Sequence, residues 1–292
     1  MATLAQWVAG ARPRTLPAAV SPVLVGTGAA YAAGHGDSGL ALLALAVALS
    51  LQVAVNYAND YSDGVRGTDA ARVGPVRLVG QGLAPPWEVK LAAYVSFFLA
   101  AVFGLALVAL SQAWVFIPIG LACIVAAWGY TGGSRPYGYP GLGEVMVFVF
   151  FGLVATLGTQ LTQAGRVTWP GVFAAVGVGA LASAILVANN LRDIPSDAVA
   201  GKHTLAVRLG DARTRWLWGA LVGVALLMAA ACGLWHVSAL IALASLPLSV
   251  PPARALRAGA VGRDLVPVLG ATGRLQLGYA VLLALGLILA AR

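Results

Sequence analysis

The chain has 292 residues, of which 60% are apolar and only 10% charged, and its mean hydropathy is +0.87. Soluble domains carry about 25% charged residues, so a water-soluble globule is excluded and a bilayer is the solvent this composition fits. The net charge of +8 does not point to nucleic acid, because the basic residues sort by loop instead of gathering into one patch.

A helix crossing the hydrocarbon core needs about 20 mostly apolar residues. In chain order, apolar blocks of that kind fall at about 16–33, 39–59, 89–110, 113–131, 143–162, 170–191, 214–234, 236–251 and 275–291. The first follows Arg12 and Arg14 and contains Ala30-Tyr31-Ala32, which has the small-residue form of a signal cleavage site; its length, with Pro17 and Pro22, favours an uncleaved helix. A membrane β-barrel would show alternating segments of about 10 residues, whereas these are unbroken runs rich in Ala, Leu, Val and Gly. The expectation is an all-α polytopic membrane protein of about nine transmembrane helices. Short linkers leave one transmembrane domain over 1–292.

With the N-terminus inside, 16 of the 18 Lys and Arg fall in loops on one face, leaving only Arg166 and Arg292 on the other. The positive-inside rule then gives an N-in, C-out topology, which an odd helix count requires. The same cytoplasmic face holds nine of the ten acids, with Asp37 alone opposite. Cys123 and Cys232 lie inside apolar blocks and read as packing residues, and His35, His203 and His236 show no ligand spacing.

Two acidic motifs stand out. Asn56-Tyr-Ala-Asn59-Asp60-Tyr61-Ser-Asp63 ends the second block, with Asn56, Asp60 and Asp63 spaced i, i+4, i+7. At about 100° per residue these fall within about 60° of one another, one oxygen-rich stripe if the helix continues that far. Asn189, Asp193 and Asp197 repeat the arrangement at i, i+4, i+8 at the end of the sixth block. Gly67-Thr-Asp69 follows the first stripe and Gly201-Lys202-His-Thr204 the second, which suggests pseudo-repeat halves of roughly 1–140 and 141–292. Acids near a membrane core cost several kcal/mol unless paired, hydrated or metal-bound, so two such clusters mark function. Carboxylates without His or Cys suit Mg²⁺, which takes one or two of them and completes its octahedron with water and phosphate oxygen. Two facing stripes are therefore expected to hold a diphosphate through bridging metal.

These motifs resemble the UbiA superfamily of intramembrane prenyltransferases over nearly the whole chain. Further segments are similar to its 1,4-dihydroxy-2-naphthoate polyprenyltransferases: Arg12-Pro-Arg14-Thr-Leu-Pro17, Gly74-Pro-Val-Arg77-Leu, Tyr130-Thr-Gly-Gly-Ser-Arg135-Pro-Tyr137-Gly-Tyr139, Gly143-Glu144 and Asn190-Leu-Arg192-Asp193. The resemblance implies a UbiA-like bundle whose cytoplasmic loops cap the active site, in a bacterial cytoplasmic membrane. It implies transfer of a polyprenyl group from its diphosphate to 1,4-dihydroxy-2-naphthoate, with loss of CO₂ and pyrophosphate. Asp60, Asp63, Asp193 and Asp197 are then expected to bind Mg²⁺, supported by Asn56 and Asn189. Arg77, Arg135, Arg192 and Lys202 are candidates for the diphosphate, and Arg14 or Arg135 for the acceptor carboxylate. Tyr57, Tyr61, Tyr130, Tyr137 and Tyr139 offer π faces to an allylic cation, and Asp69 is a candidate for orienting an acceptor hydroxyl. The partners are the two substrates and membrane lipid, with no nucleic acid. Other aromatic acceptors, such as 4-hydroxybenzoate or homogentisate, stay open. A transporter reading is weakened by acids at helix ends and not at the bilayer midplane. A phosphatidyltransferase reading fails because the residues expected after Asp60-x-x-Asp63-Gly64 are absent.

Overall fold

The computed structural model describes residues 2–67, 76–133 and 136–291. Among the described residues there are ten helical rods: α1 (Leu4–Gly10), α2 (Leu16–Ala32), α3 (Ser38–Val65), α4 (Pro86–Ser111), α5 (Phe116–Gly129), α6 (Gly143–Ala164), α7 (Trp169–Val199), α8 (Leu205–Cys232), α9 (Val237–Arg257) and α10 (Gly262–Leu289). No strand occurs among the described residues. Among the described residues eight candidate spans are long and apolar enough to cross a bilayer, the first running through α1 and α2, and α5, with 14 residues, is a shorter apolar helix. All nine expected blocks are thus helical, but length alone carries only eight of them across.

The helix ends follow local chemistry. Asp37 caps α3 by accepting from the Leu40 backbone N–H at 2.9 Å, and Thr168 and Thr204 cap α7 and α8 in the same way. Pro86 and Pro170 occupy first-turn positions, where a missing N–H costs nothing. Gly210, at φ +75°, breaks α8 early, so its long apolar stretch begins just beyond, near the expected position 214.

Within lipid, apolar surface alone does not drive helices together, and close packing of small residues does. A Cβ on Gly152 of α6 would lie 2.6 Å from the Gly179 Cα of α7, and one on Gly28 of α2 would lie 2.8 Å from the Ala284 Cα of α10. α7 is the most buried rod and sits among α2, α6, α8 and α10. A second buried cluster gathers α3, α4 and the 78–84 turn around Tyr57, Leu78 and Phe97. α5 buries none of its residues.

Candidate active site

Both acidic motifs lie on continuous helix, since α3 runs to Val65 and α7 to Val199. Three residues, Asn56, Asn59 and Arg66, fasten the end of α3. Asn56 Nδ2 donates to the Ala11 carbonyl at 2.8 Å and to Thr15 Oγ1 at 3.0 Å, tying the motif to the entry of α2. Asn59 Oδ1 accepts from Thr131 Oγ1 at 2.6 Å. Arg66 donates to the carbonyls of Thr131 and Gly133, clasping the helix end to the segment that leads to α6.

The four acids divide into two pairs. Asp60 is fully buried, and its two oxygens accept from the backbone N–H groups of Leu78 at 2.7 Å and Val79 at 3.0 Å. Asp193 receives the Arg192 guanidinium through Nε at 2.7 Å and through the terminal nitrogen at 2.8 Å. The same terminal nitrogen reaches Asn189 Oδ1 at 2.9 Å. Asp63 and Asp197, by contrast, line a cavity of about 610 Å³. The α3 split follows from helix geometry: Asp63 stands within about 20° of Asn56, and Asp60 lies about 40° to the other side, toward the 76–84 turn.

The two motifs meet at that cavity. Lys202, just after the second motif, is buried and reaches across to Asp63 Oδ1 at 3.2 Å, while Tyr139 Oη donates to the same oxygen at 3.0 Å. The ammonium also sits 4.7 Å from the centroid of the Tyr139 ring. A backbone bond of 2.8 Å from Lys202 N–H to the Asp197 carbonyl closes this turn through Gly201, at φ +70°. Arg12, Arg77, Asn59, Asn189, Asn190, Tyr130 and Tyr137 complete the polar end. Burial pushes the Tyr137 hydroxyl up to about 12, so it stays protonated as it donates to the Ala126 carbonyl.

Below this end the lining turns apolar, through residues such as Val47, Leu51, Val108, Ile124, Phe150 and Phe151. Leu105, Ile117 and Leu121 line the same space yet are 58%, 46% and 64% exposed, so the cavity opens sideways between α4 and α5. It is a groove with a charged head and a lateral mouth.

The donor set fits a hard divalent cation joined to a phosphate. Among the described residues no three His, Cys, Asp or Glu side chains gather to hold an ion by themselves. Two carboxylates, those of Asp63 and Asp197, border the one cavity together with four asparagines, a donor set that suits Mg²⁺, an ion that leaves most of its sphere to water and phosphate. Of the expected residues, Asn56, Asp63, Arg77, Tyr130, Tyr139, Asn189, Asp197 and Lys202 border the cavity. Arg14 is exposed on the surface, and Tyr61 packs on Trp128 with Lys90 above its ring. Tyr57 donates to the Trp7 carbonyl at 3.0 Å. Asp69 and Arg135 lie outside the described residues. Arg12, Asn59 and Asn190 border the cavity without having been given a role at the site, although each lies within a segment that the sequence marks.

A model of the UbiA prenyltransferase family matches residues 19–260. This chain belongs to that family. Among its relatives, the 1,4-dihydroxy-2-naphthoate octaprenyltransferase of Mycobacterium tuberculosis is 56% identical over 284 residues, 97% of each chain. The Escherichia coli protein of the same name is 43% identical over 231 residues, 75% of each chain. A UbiA homolog from Archaeoglobus fulgidus bound to GPP and Mg²⁺ superposes with a TM-score of 0.70 at 16% identity, covering 97% of this chain and 99% of that one. At that identity the match speaks for the fold, and it makes the bundle a UbiA bundle.

Proposed function

We propose that this multi-pass membrane protein transfers a polyprenyl group from its diphosphate to 1,4-dihydroxy-2-naphthoate, releasing CO₂ and pyrophosphate and giving demethylmenaquinol. The observation that carries the reading is the near full-length similarity to proteins named for that reaction. The groove agrees with it, having a charged head for a diphosphate, an apolar body for an isoprenoid tail and a mouth toward lipid.

The chemical task is to ionise an allylic C–O bond. Negative charge grows on the leaving diphosphate, so cations placed there lower the barrier more than they tighten binding. Lys202, paired with Asp63, and Arg77 stand at the head of the groove, where both cations would meet the diphosphate. Asp63 and Asp197, helped by Asn189, would hold Mg²⁺, which when bound neutralises charge on the leaving group. Asp60 and Asp193 act one step back: Asp60 fixes the turn that leads from Arg77, and Asp193 holds Arg192 against Asn189. Tyr130 and Tyr139 line the same head of the groove and would offer π faces to the allylic cation, with the apolar walls below to keep water from it.

The naphthoate ring attacks through its carboxyl-bearing carbon. The electrons of the bond to the carboxylate then restore aromaticity as CO₂ leaves, so no proton has to be taken from the ring carbon. This suits a site in which Asp63 and Asp197 are given to the diphosphate. We place the active site on the cytoplasmic side of a bacterial plasma membrane, N-terminus in and C-terminus out. The ends of α3 and α7 that carry the site are the ends joined to the basic loops.

The test is turnover by detergent-purified protein given 1,4-dihydroxy-2-naphthoate, a polyprenyl diphosphate and Mg²⁺, with product followed by mass spectrometry. Product is expected, absent with EDTA, restored by excess Mg²⁺ and reduced at least a hundredfold in Asp197→Asn. Turnover of 4-hydroxybenzoate with none of the naphthoate would sink the acceptor assignment.

A further inference from the structure

Behind the head of the groove, in contact with the lining residue Asn190, lies a carboxyl group that diphosphate chemistry leaves unused. Glu144 opens α6 and is only 7% exposed, and its Oε1 accepts a 2.8 Å hydrogen bond from Asn190 Nδ2. Its Oε2 is sealed from solvent with no partner among the described residues. An oxygen buried in this way is unfavourable. The side chain is not what fastens the helix, because Ser183 Oγ of α7 already donates to the Glu144 backbone carbonyl at 3.1 Å.

What the carboxyl group does is orient an amide. The oxygen and nitrogen of an asparagine side chain exchange places by a half-turn, and only their partners decide between the two orientations. An ionised carboxylate can only accept, so Asn190 Nδ2 is committed to Glu144 and Oδ1 points away from it. Asn190 borders the groove, and no described residue donates to that Oδ1. The groove therefore meets an acceptor at this point. On the facing motif Asn59 is the complement, since its oxygen is taken by Thr131 and its Nδ2 is left to donate.

We infer that Glu144 is a positioning residue that locks the Asn190 amide, so that Asn190 Oδ1 accepts a hydrogen bond from a ring hydroxyl of the aromatic acceptor. The inference rests on the acceptor being a hydroxylated aromatic acid, as proposed above. An ionised diphosphate has no proton to offer that oxygen, so the locked amide selects the hydroxylated ring over the diphosphate.

Full-length protein in detergent with Mg²⁺ provides the test. Asn190→Ala is expected to raise the acceptor KM about tenfold and leave the diphosphate KM within twofold. It should also erase the preference, measured as competitive inhibition, for 1-hydroxy- or 4-hydroxy-2-naphthoate over unsubstituted 2-naphthoate. Glu144→Gln, which can donate as well as accept and so frees the amide to turn, should weaken the same preference. The swap Glu144→Gln with Asn190→Asp again leaves an oxygen facing the groove, and it should regain the preference if its thermal unfolding matches wild type. A rise in the diphosphate KM in Asn190→Ala, or a hydroxyl preference that survives it, would overturn the inference. If wild type ignored the naphthoate but used another hydroxyaromatic acid, only the acceptor assignment would fall, and the same comparison on that acid would judge Asn190.

Discussion

Replacing Asp60 by Asn separates two roles that the acidic motif alone cannot distinguish. In the structure the Asp60 carboxylate is fully buried and both oxygens hold backbone N–H groups, those of Leu78 and Val79. Leu78 in turn accepts from the N–H groups of Leu83 at 2.8 Å and Ala84 at 3.0 Å, so the whole 76–84 turn hangs on this anchor. A hydrogen bond to a charged group contributes about 1.5–3 kcal/mol, and Asn would keep one oxygen while aiming its own NH₂ at the other backbone N–H. The cost is about 2–4 kcal/mol, which lowers protection of the two amides by about 30- to 900-fold at room temperature. Hydrogen exchange resolved by peptide or residue, on protein free of divalent metal, reads it directly. Asp63→Asn is the control and should leave the Leu78 and Val79 amides unchanged. Unaltered exchange in Asp60→Asn, together with lost Mg²⁺-dependent diphosphate binding, would refute the anchoring role and make Asp60 a ligand.

Two further changes probe the groove and the bundle. Gly104 borders the groove with only Val47 near its missing Cβ, so Gly104→Trp should cut turnover of a long polyprenyl diphosphate at least tenfold while sparing a five-carbon allylic diphosphate; equal loss with both would mean the tail lies elsewhere. At Gly152 an added side chain meets the Gly179 backbone, which cannot yield like a side chain, so Gly152→Val should destabilise by about 3 kcal/mol and lower the unfolding midpoint in detergent. Gly223→Ala, facing open space, should leave the midpoint unchanged.

Fold class, helix positions and the two motifs were legible in the sequence because each follows from a local rule: apolar length, helical period and the cost of acids in lipid. The division of labour among the acids was not. Asn56, Asp60 and Asp63 share one stripe, and only the return of the chain at 76–84 gives Asp60 two backbone donors in place of an open cavity. Likewise Arg192 was a candidate for the diphosphate, yet its guanidinium folds back onto the carboxylate of the adjacent Asp193. Arg14 was favoured over Arg12 with nothing local to separate them; the backbone at Arg12 is left-handed, φ +54°, and Arg12 is the one that borders the groove. The apolar block at 113–131 marked α5, but hydropathy does not show that only 14 of its residues, Phe116–Gly129, are helical.

The sideways mouth between α4 and α5 changes what concentration means for this enzyme. A substrate that arrives and a product that departs through lipid are governed by their mole fraction in the surrounding film, not by their amount per litre of buffer. Adding empty micelles should then slow turnover at constant total prenyl diphosphate, and a bilayer rich in quinol should inhibit from within. The water-soluble acceptor would escape that dilution, so the two substrates of one reaction would answer to different solvents.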